Sequence, residues 1–206
     1  MLHGTGKSYT LLTILCKLAK HIENVVIIIC DYKNSSIFAP FRNSNNYYGY
    51  DKVVEGIKEF YEELQYRMKT DDEERKKQVR VLLLDEFSSV IDALDNKEND
   101  LKGKVAYILN MGREYNMKLI IGMQRADSEF FKSGSRDNFR IKLTLGNISA
   151  EQTRMLGLDK SKMTETNEGV GEGYLHIDGA DIEQVKIEKI ENLDEVNKII
   201  KKAMDR

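Results

Sequence analysis

Residues 1–8 read MLHGTGKS, and the reading of this stretch decides the fold. Gly6-Lys7-Ser8, with Gly4 two places earlier, is the working end of a phosphate-binding loop. Such a loop curls backbone N–H groups around phosphate oxygens and leads directly into a helix N-terminus. Lys7 is then a point charge for the β- and γ-phosphates, and the Ser8 hydroxyl is a Mg²⁺ ligand. Gly4, Thr5, Gly6, Lys7, Ser8 and Tyr9 are therefore the candidate nucleotide-binding residues. The full pattern, G-x-x-x-x-G-K-[ST], puts its first glycine at position 1, where Met1 stands. The expectation is a chain that starts within its own phosphate loop, with the strand that normally feeds the loop missing.

Outward from the loop, residues 8–21 read as a helix with Leu11, Leu12, Leu15 and Leu18 on one side. VVIIIC (25–30) is a continuous β-branched run, as expected of a strand in a parallel sheet covered on both faces. It ends in Asp31-Tyr32-Lys33, and the Asn-, Ser- and Tyr-rich residues 34–50 read as loop. Val54, Ile57, Phe60, Tyr61 and Leu64 give residues 51–69 a helical stripe. After a charged connector (70–78), VRVLLLDEF (79–87) is a second buried strand. A polar connector (97–104) leads to a helix at 104–116 and a third buried strand, LIIGMQR (119–125). A loop (126–138) leads to the alternating strand 140–147 and a short helix at 149–156. Residues 169–178 read as glycines entering an edge strand, 185–190 as another strand, and 192–204 as a terminal helix. Strands alternating with helices give a single α/β domain over residues 1–206, with a mainly parallel central sheet flanked by helices.

The strand that ends Asp85-Glu86 completes the chemistry. In P-loop ATPases a carboxylate at that position meets the Mg²⁺ shell, and the next one polarises water. Asp85 is accordingly the candidate metal-site residue with Ser8, and Glu86 the candidate general base. Gln124, after the apolar run ending at Met123, is placed to reach the γ-phosphate or the attacking water and to report hydrolysis to the following loop. The candidate cofactors are ATP and Mg²⁺.

Bulk properties narrow the partners. The 206 residues are 32% charged with net charge −2 and a single proline, so no global basic field draws the chain to nucleic acid or membrane. Cys16 and Cys30 sit in apolar patterns and read as reduced core residues. No apolar run approaches the ~20 residues that span a bilayer, and no leader peptide is visible. The expected location is the cytoplasm. His3, His21 and His176 lack ligand-type spacing.

Taken in order, these pieces resemble the FtsK/SpoIIIE family of DNA-pumping ATPases, from residue 1 to about 178. The family's aspartate-proline-lysine after the second strand is matched by Asp31-Tyr32-Lys33, with tyrosine in place of proline. Its Asp-Glu strand end is matched by Asp85-Glu86. Its arginine-containing helix end, followed by a strand into Thr-Gln-Arg-Pro, is matched by Arg113, Gln124 and Arg125, with Met123 and Ala126 departing. Asn138, Arg140 and Ile141 follow, and GVGEGYLHID (169–178) supplies the closing glycine-rich turn into a Tyr-containing strand. Each match alone is weak; their order along one chain is specific. The departures set the chain apart from chromosome-segregation motors and bring it nearer the FtsK-like proteins of Gram-positive conjugative elements.

The resemblance implies a RecA-like P-loop NTPase fold and a homo-hexameric ring that moves double-stranded DNA, coupled to conjugation or secretion channel components. It also implies a full-length parent at the inner face of the cell membrane. It makes Arg113 the candidate arginine acting on a neighbour's site, with Arg140 as runner-up. Lys132 and Arg136, in the loop after Gln124, are candidate DNA-phosphate contacts, and the loop 41–50 with Arg42 and Lys52 is a second candidate. Two other functions remain open at this point: an FtsK-like ATPase of type VII protein secretion, and a non-catalytic nucleotide-binding assembly module.

Overall fold

The computed structural model describes residues 5–124, 128–131, 135–163 and 169–206. Four parallel strands form the central sheet: β1 (Val26–Asp31), β2 (Tyr47–Gly49), β3 (Arg80–Asp85) and β4 (Met117–Ile121), in the order β2-β1-β3-β4. Every residue of β1 is buried, as are Val81–Asp85 of β3, because helices cover both faces. The period of two along each strand divides the core. Val26, Ile28, Cys30, Leu82 and Leu84 face one apolar cluster, and Ile27, Ile29, Val81 and Leu83 the other.

The first cluster is closed by α2 (Val53–Lys69), α4 (Phe87–Leu94) and α5 (Leu101–Met111), through Val53, Ile57, Phe60, Leu64, Phe87, Val90, Leu101 and Val105. The second is closed by α1 (Lys7–His21) and α7 (Leu193–Met204), through Leu11, Leu12, Leu15, Ile200 and Met204. A five-residue helix, α3 (Glu73–Lys77), lies in the charged connector and is capped by Asp72, whose carboxylate accepts from the Arg75 N–H.

The remaining strands form a separate antiparallel sheet, β5 (Ile141–Leu145), β6 (Glu172–Ile177) and β7 (Glu183–Lys186), in the order β5-β6-β7. The short helix α6 (Ala150–Met155) precedes β6 and starts on a capping box between Ser149 and Gln152.

Several expectations are corrected here. The strand at 169–178 is the middle of its sheet, not an edge, because β7 folds back on β6 through a tight turn at Gly179 (φ 82°). The strand expected at 119–125 is β4, which ends at Ile121, is an edge of the central sheet and is half-buried beyond Met117. Residues 34–50 are not wholly loop: β2 pairs with β1, and Ser36–Phe41 forms a 3₁₀ turn that buries Phe38 and Phe41. The helix α4 follows β3 directly, with Phe87, Val90 and Ile91 buried.

Parallel strands all point one way, so the C-terminal ends of β1, β3 and β4 lie together along one edge of the sheet. Asp31 and Asp85 are register partners there. That edge, where loops emerge from a buried scaffold, is where open parallel sheets bind ligands. Among the described residues, no helix is long and apolar enough to cross a membrane.

Candidate active site

The phosphate loop enters α1 through Gly6, whose φ of 89° lies in the left-handed region that favours glycine. A Cβ on Gly6 would also stand 3.2 Å from the Gly171 nitrogen and 3.3 Å from Val170 Cγ1. The Gly171 N–H donates to the Thr5 carbonyl at 3.0 Å. The glycine-rich turn before β6 is thus a strap across the entrance to α1. The N-terminus of α1 has no side-chain cap and no acidic residue in its first turn. Its first N–H groups and the positive end of its dipole suit an anion.

Lys7, the first residue of α1, reaches the end of β3. Its Nζ donates to Asp85 Oδ1 at 2.6 Å and to Glu86 Oε1. Both carboxylates are nearly inaccessible, with side-chain exposures of 3% and 7%. Glu86 sits at the corner between β3 and α4 with φ 57° and ψ 43°, a left-handed conformation uncommon for a side-chain-bearing residue and often found at functional sites. The corner is fixed by the Phe87 N–H, which donates to the Gly122 carbonyl at 3.1 Å. The Gly122 N–H in turn donates to the Leu84 carbonyl at 2.8 Å.

Gln124, one of the exposed residues after β4, brings its Nε2 to 3.4 Å from Glu86 Oε1. Lys33, from the turn after β1, donates to Glu86 Oε2 at 2.8 Å. Burial works to raise the Glu86 pKa, but the hydrogen bonds from Lys33 and Lys7 outweigh it and hold the carboxyl below its ordinary value. Glu86 is thereby kept charged, as a proton acceptor must be.

Asp31 is fully buried beside Asp85. Its Oδ2 accepts from the Ser35 N–H at 2.7 Å and the Tyr47 hydroxyl at 3.0 Å, while Oδ1 has no hydrogen-bond partner. Burial pushes its pKa up against the bonds from Tyr47 and Ser35, and the Asp85 charge adds to the rise.

These residues fit a magnesium nucleotide. An uncapped helix start with a lysine at its first position offers donors to phosphate. The Ser8 hydroxyl and Asp85 offer hard oxygen ligands of the kind Mg²⁺ takes. Ser8 is the second residue of α1 and half-buried; Thr5 is exposed, and Tyr9 is 48% exposed with its carbonyl accepting from the Thr13 hydroxyl.

The structure therefore brings Lys7, Asp85, Glu86 and Gln124 together. Arg113 is not among them: it is exposed in the turn after α5, at the opposite end of β4 from Gln124. Arg140 is exposed just before β5, and its carbonyl accepts from the Asp178 N–H at 2.8 Å. Gly4, Arg125, Ala126, Lys132 and the Arg136 side chain lie outside the described residues. Sequence reasoning gave no role to Lys33, to the strap at Gly171 or to buried Asp31. The signal for Lys33 was its place in Asp31-Tyr32-Lys33 at the end of a strand neighbouring the Asp85 strand.

Comparisons with known proteins agree with this fold. No family model matches the chain. It is 29% identical over 97 residues to the FtsK domain-containing protein YdcQ of Bacillus subtilis (strain 168), covering 47% of this chain and 20% of YdcQ. Among solved structures, it is similar to the pCW3 conjugation coupling protein TcpA in its monomer form with ATPγS (TM-score 0.69, 19% identity, 89% of this chain and 57% of that one). It is also similar to EssC (ATPases 2 and 3) from Geobacillus thermodenitrificans (TM-score 0.72, 18% identity, 98% of this chain and 42% of that one). The cytoplasmic domain of the Thermomonospora curvata type VII secretion ATPase EccC gives 0.70 and 18%, with 98% of this chain and 27% of that one. The chain thus spans a fifth of its curated relative and between about a quarter and three fifths of these structures. It resembles an FtsK-domain protein in sequence and has the fold of the FtsK-like P-loop ATPase domains.

Proposed function

We propose that this chain is the ATP-hydrolysing motor domain of a double-stranded DNA translocase serving conjugative transfer. The observation that carries the hydrolytic part is the convergence of Lys7 on Asp85 and Glu86 at the end of a buried strand, with Gln124 beside them. Lys7 and the first N–H groups of α1 would hold the phosphates. Mg²⁺, held by Ser8 and Asp85, would neutralise charge on the phosphate oxygens. Glu86, kept ionised, would take the proton of the attacking water, worth about 10²–10⁴-fold in rate. Gln124 shares Glu86 Oε1 with Lys7 and begins the segment toward Lys132 and Arg136, the proposed DNA-phosphate contacts. A change at Glu86 would therefore be felt at the start of that segment.

The likeness to a conjugation coupling protein supports DNA as the cargo. A second reading, a motor for protein secretion, is supported by the likeness of almost the whole chain to EssC and EccC. The proposed assembly is a hexameric ring in which each site is completed by a neighbour.

The test is ATP hydrolysis by the full-length protein with and without double-stranded DNA, alongside Lys7→Ala and Glu86→Gln. DNA should stimulate turnover. Lys7→Ala should abolish tight ATP binding, and Glu86→Gln should retain binding while losing at least about a hundredfold in turnover. Turnover indifferent to DNA would transfer the assignment to the protein-secretion motor, and no turnover under any condition would leave an assembly module.

A further inference from the structure

The turn after β1 is braced on every side. The Asn34 N–H closes it on the Asp31 carbonyl at 3.2 Å, and the Ser35 N–H donates to Asp31 Oδ2 at 2.7 Å. The Tyr47 hydroxyl lies 3.0 Å from both Asp31 Oδ2 and Asn34 Oδ1, and Arg42 donates to the Asn34 carbonyl at 2.7 Å. Tyr32 stacks on Tyr50, with ring centroids 5.6 Å apart and planes 7° from parallel. Lys33 is the residue this turn presents. Its side chain is 48% exposed, yet its Nζ points inward to Glu86 Oε2, an oxygen of a carboxylate only 7% exposed.

The two oxygens of Glu86 have different partners. Oε1 faces Lys7 and Gln124, and Oε2 faces Lys33. The charged groups around Glu86 are thus Lys7 from α1, Lys33 from the turn after β1, and Asp85 beside it on β3, with buried Asp31 behind. Lys7 already commits two of its three donor protons to Asp85 and Glu86, so reaching toward phosphate loosens its hold on Glu86. When it turns to phosphate, Lys33 is the cation left on this carboxylate among the described bonds. A buried carboxylate that loses its remaining cation is strongly disfavoured.

We propose that Lys33 is a positioning residue for the proposed hydrolytic reaction: by holding Glu86 Oε2 it keeps the carboxylate anchored while Oε1 is released to accept the proton of water. This role rests on the hydrolytic reading above. Among the described bonds Lys33 Nζ is held by Glu86 and not by Thr5, Gly6, Lys7, Ser8 or Tyr9, so its effect belongs to turnover and not to binding.

The experiment compares Lys33→Met, Lys33→Arg and wild type in the full-length protein. Turnover, the dissociation constant of a fluorescent ATP analogue, and the Tm without added nucleotide are measured, the last also in a Glu86→Gln background. Lys33→Met should lower kcat about tenfold or more, by analogy with the loss of a general base's support, and leave nucleotide affinity within about twofold. Lys33→Arg should recover most of the turnover. Lys33→Met should lower the Tm of the parent and leave that of Glu86→Gln unmoved, since the partner charge is already gone. Unchanged or faster turnover in Lys33→Met, or an equal Tm loss in both backgrounds, overturns the role of Lys33 while leaving the hydrolytic reading intact. A wild-type protein that hydrolyses no ATP overturns the hydrolytic reading and this role with it.

Discussion

Two glutamates buried among the described residues do different work, and their partners say which. Glu63, on α2, is 8% exposed and lies at the far end of the sheet from Glu86, among residues that flank the N-terminal end of β3. Its carboxylate accepts from Arg67 Nε at 2.8 Å and from Arg75 at 3.0 and 2.5 Å, with Arg80 at 3.8 Å. Arg67 is fully buried and also donates to the carbonyls of Gln78 and Tyr115, so it pins α2 to the starts of β3 and β4. These charges face one another, with Arg67 Nη2 and Arg80 Nε left without hydrogen-bond partners, whereas Glu86 faces the lysine that opens a helix. Burial works against the charged form of Glu63, but the hydrogen bonds from Arg75 and Arg67 hold its pKa below the ordinary 4.5. A depressed carboxylate contributes stability that is fully present above its unfolded pKa and is lost as pH falls through its folded one. Glu63→Gln, which leaves Arg67 buried without its counter-charge, should cost about 3 kcal/mol near neutral pH. In urea unfolding the gap between wild type and variant should narrow as pH falls below about 4.5; an equal gap at both pH values would mean that Glu63 is not held as a carboxylate.

At the scale of elements, the site depends on how closely β4 approaches the end of β3. Gly122 follows β4, and a Cβ there would stand 2.7 Å from Asp85 Oδ1 and 3.2 Å from Leu11 Cδ1. Asp85 Oδ1 is the atom that Lys7 holds, so the contact cannot be relieved by moving the carboxylate without disturbing Lys7. Gly122→Ala should therefore weaken magnesium-nucleotide binding about tenfold, a cost of ~1.4 kcal/mol, while the overpacking costs about 1–3 kcal/mol of stability. Isothermal titration together with thermal melting measures both losses, and intact affinity in the variant would show that Asp85 has room to move. This layer also marks what a sequence can disclose. The strands β1 and β3 were legible because unbroken β-branched and leucine runs have few other homes, and Asp85-Glu86 was legible as the polar end of such a run. The helix α4 and strand β2 were not: eight and three residues are too few for a period to stand out. The glycines entering 169–178 disclosed a strand but not how many neighbours it has, so β6 read as an edge. The Lys33–Glu86 contact depends on the register of β1 against β3, a non-local pairing that spacing along the chain does not encode.

At the scale of the whole molecule, the position of Arg113 separates a self-contained site from a shared one. It lies in the turn before β4, and its carbonyl accepts from Lys118 Nζ at 3.2 Å. Gln124 lies beyond the other end of β4, and the five residues of that strand alone span roughly 13 Å at a rise of ~3.3 Å per residue. Arg113 is thus far from Asp85 and Glu86 of its own chain, and it is exposed. If it stabilises transition-state charge, it does so in the site of a neighbour, as the proposed ring requires. Arg113→Ala should then keep nucleotide affinity, since its own phosphate loop is untouched, and lose about 10³-fold or more in turnover. The sharper readout is mixing. Variant subunits added to wild type at constant total protein should depress activity more steeply than the wild-type fraction falls, because each variant silences an intact site next door. Doping Lys7→Ala provides the control, since that variant loses its own site but still offers Arg113 to a neighbour. Arg113→Ala activity that tracks the wild-type fraction in strict proportion, with affinity and assembly unchanged, would remove Arg113 from the site and transfer the search to Arg140.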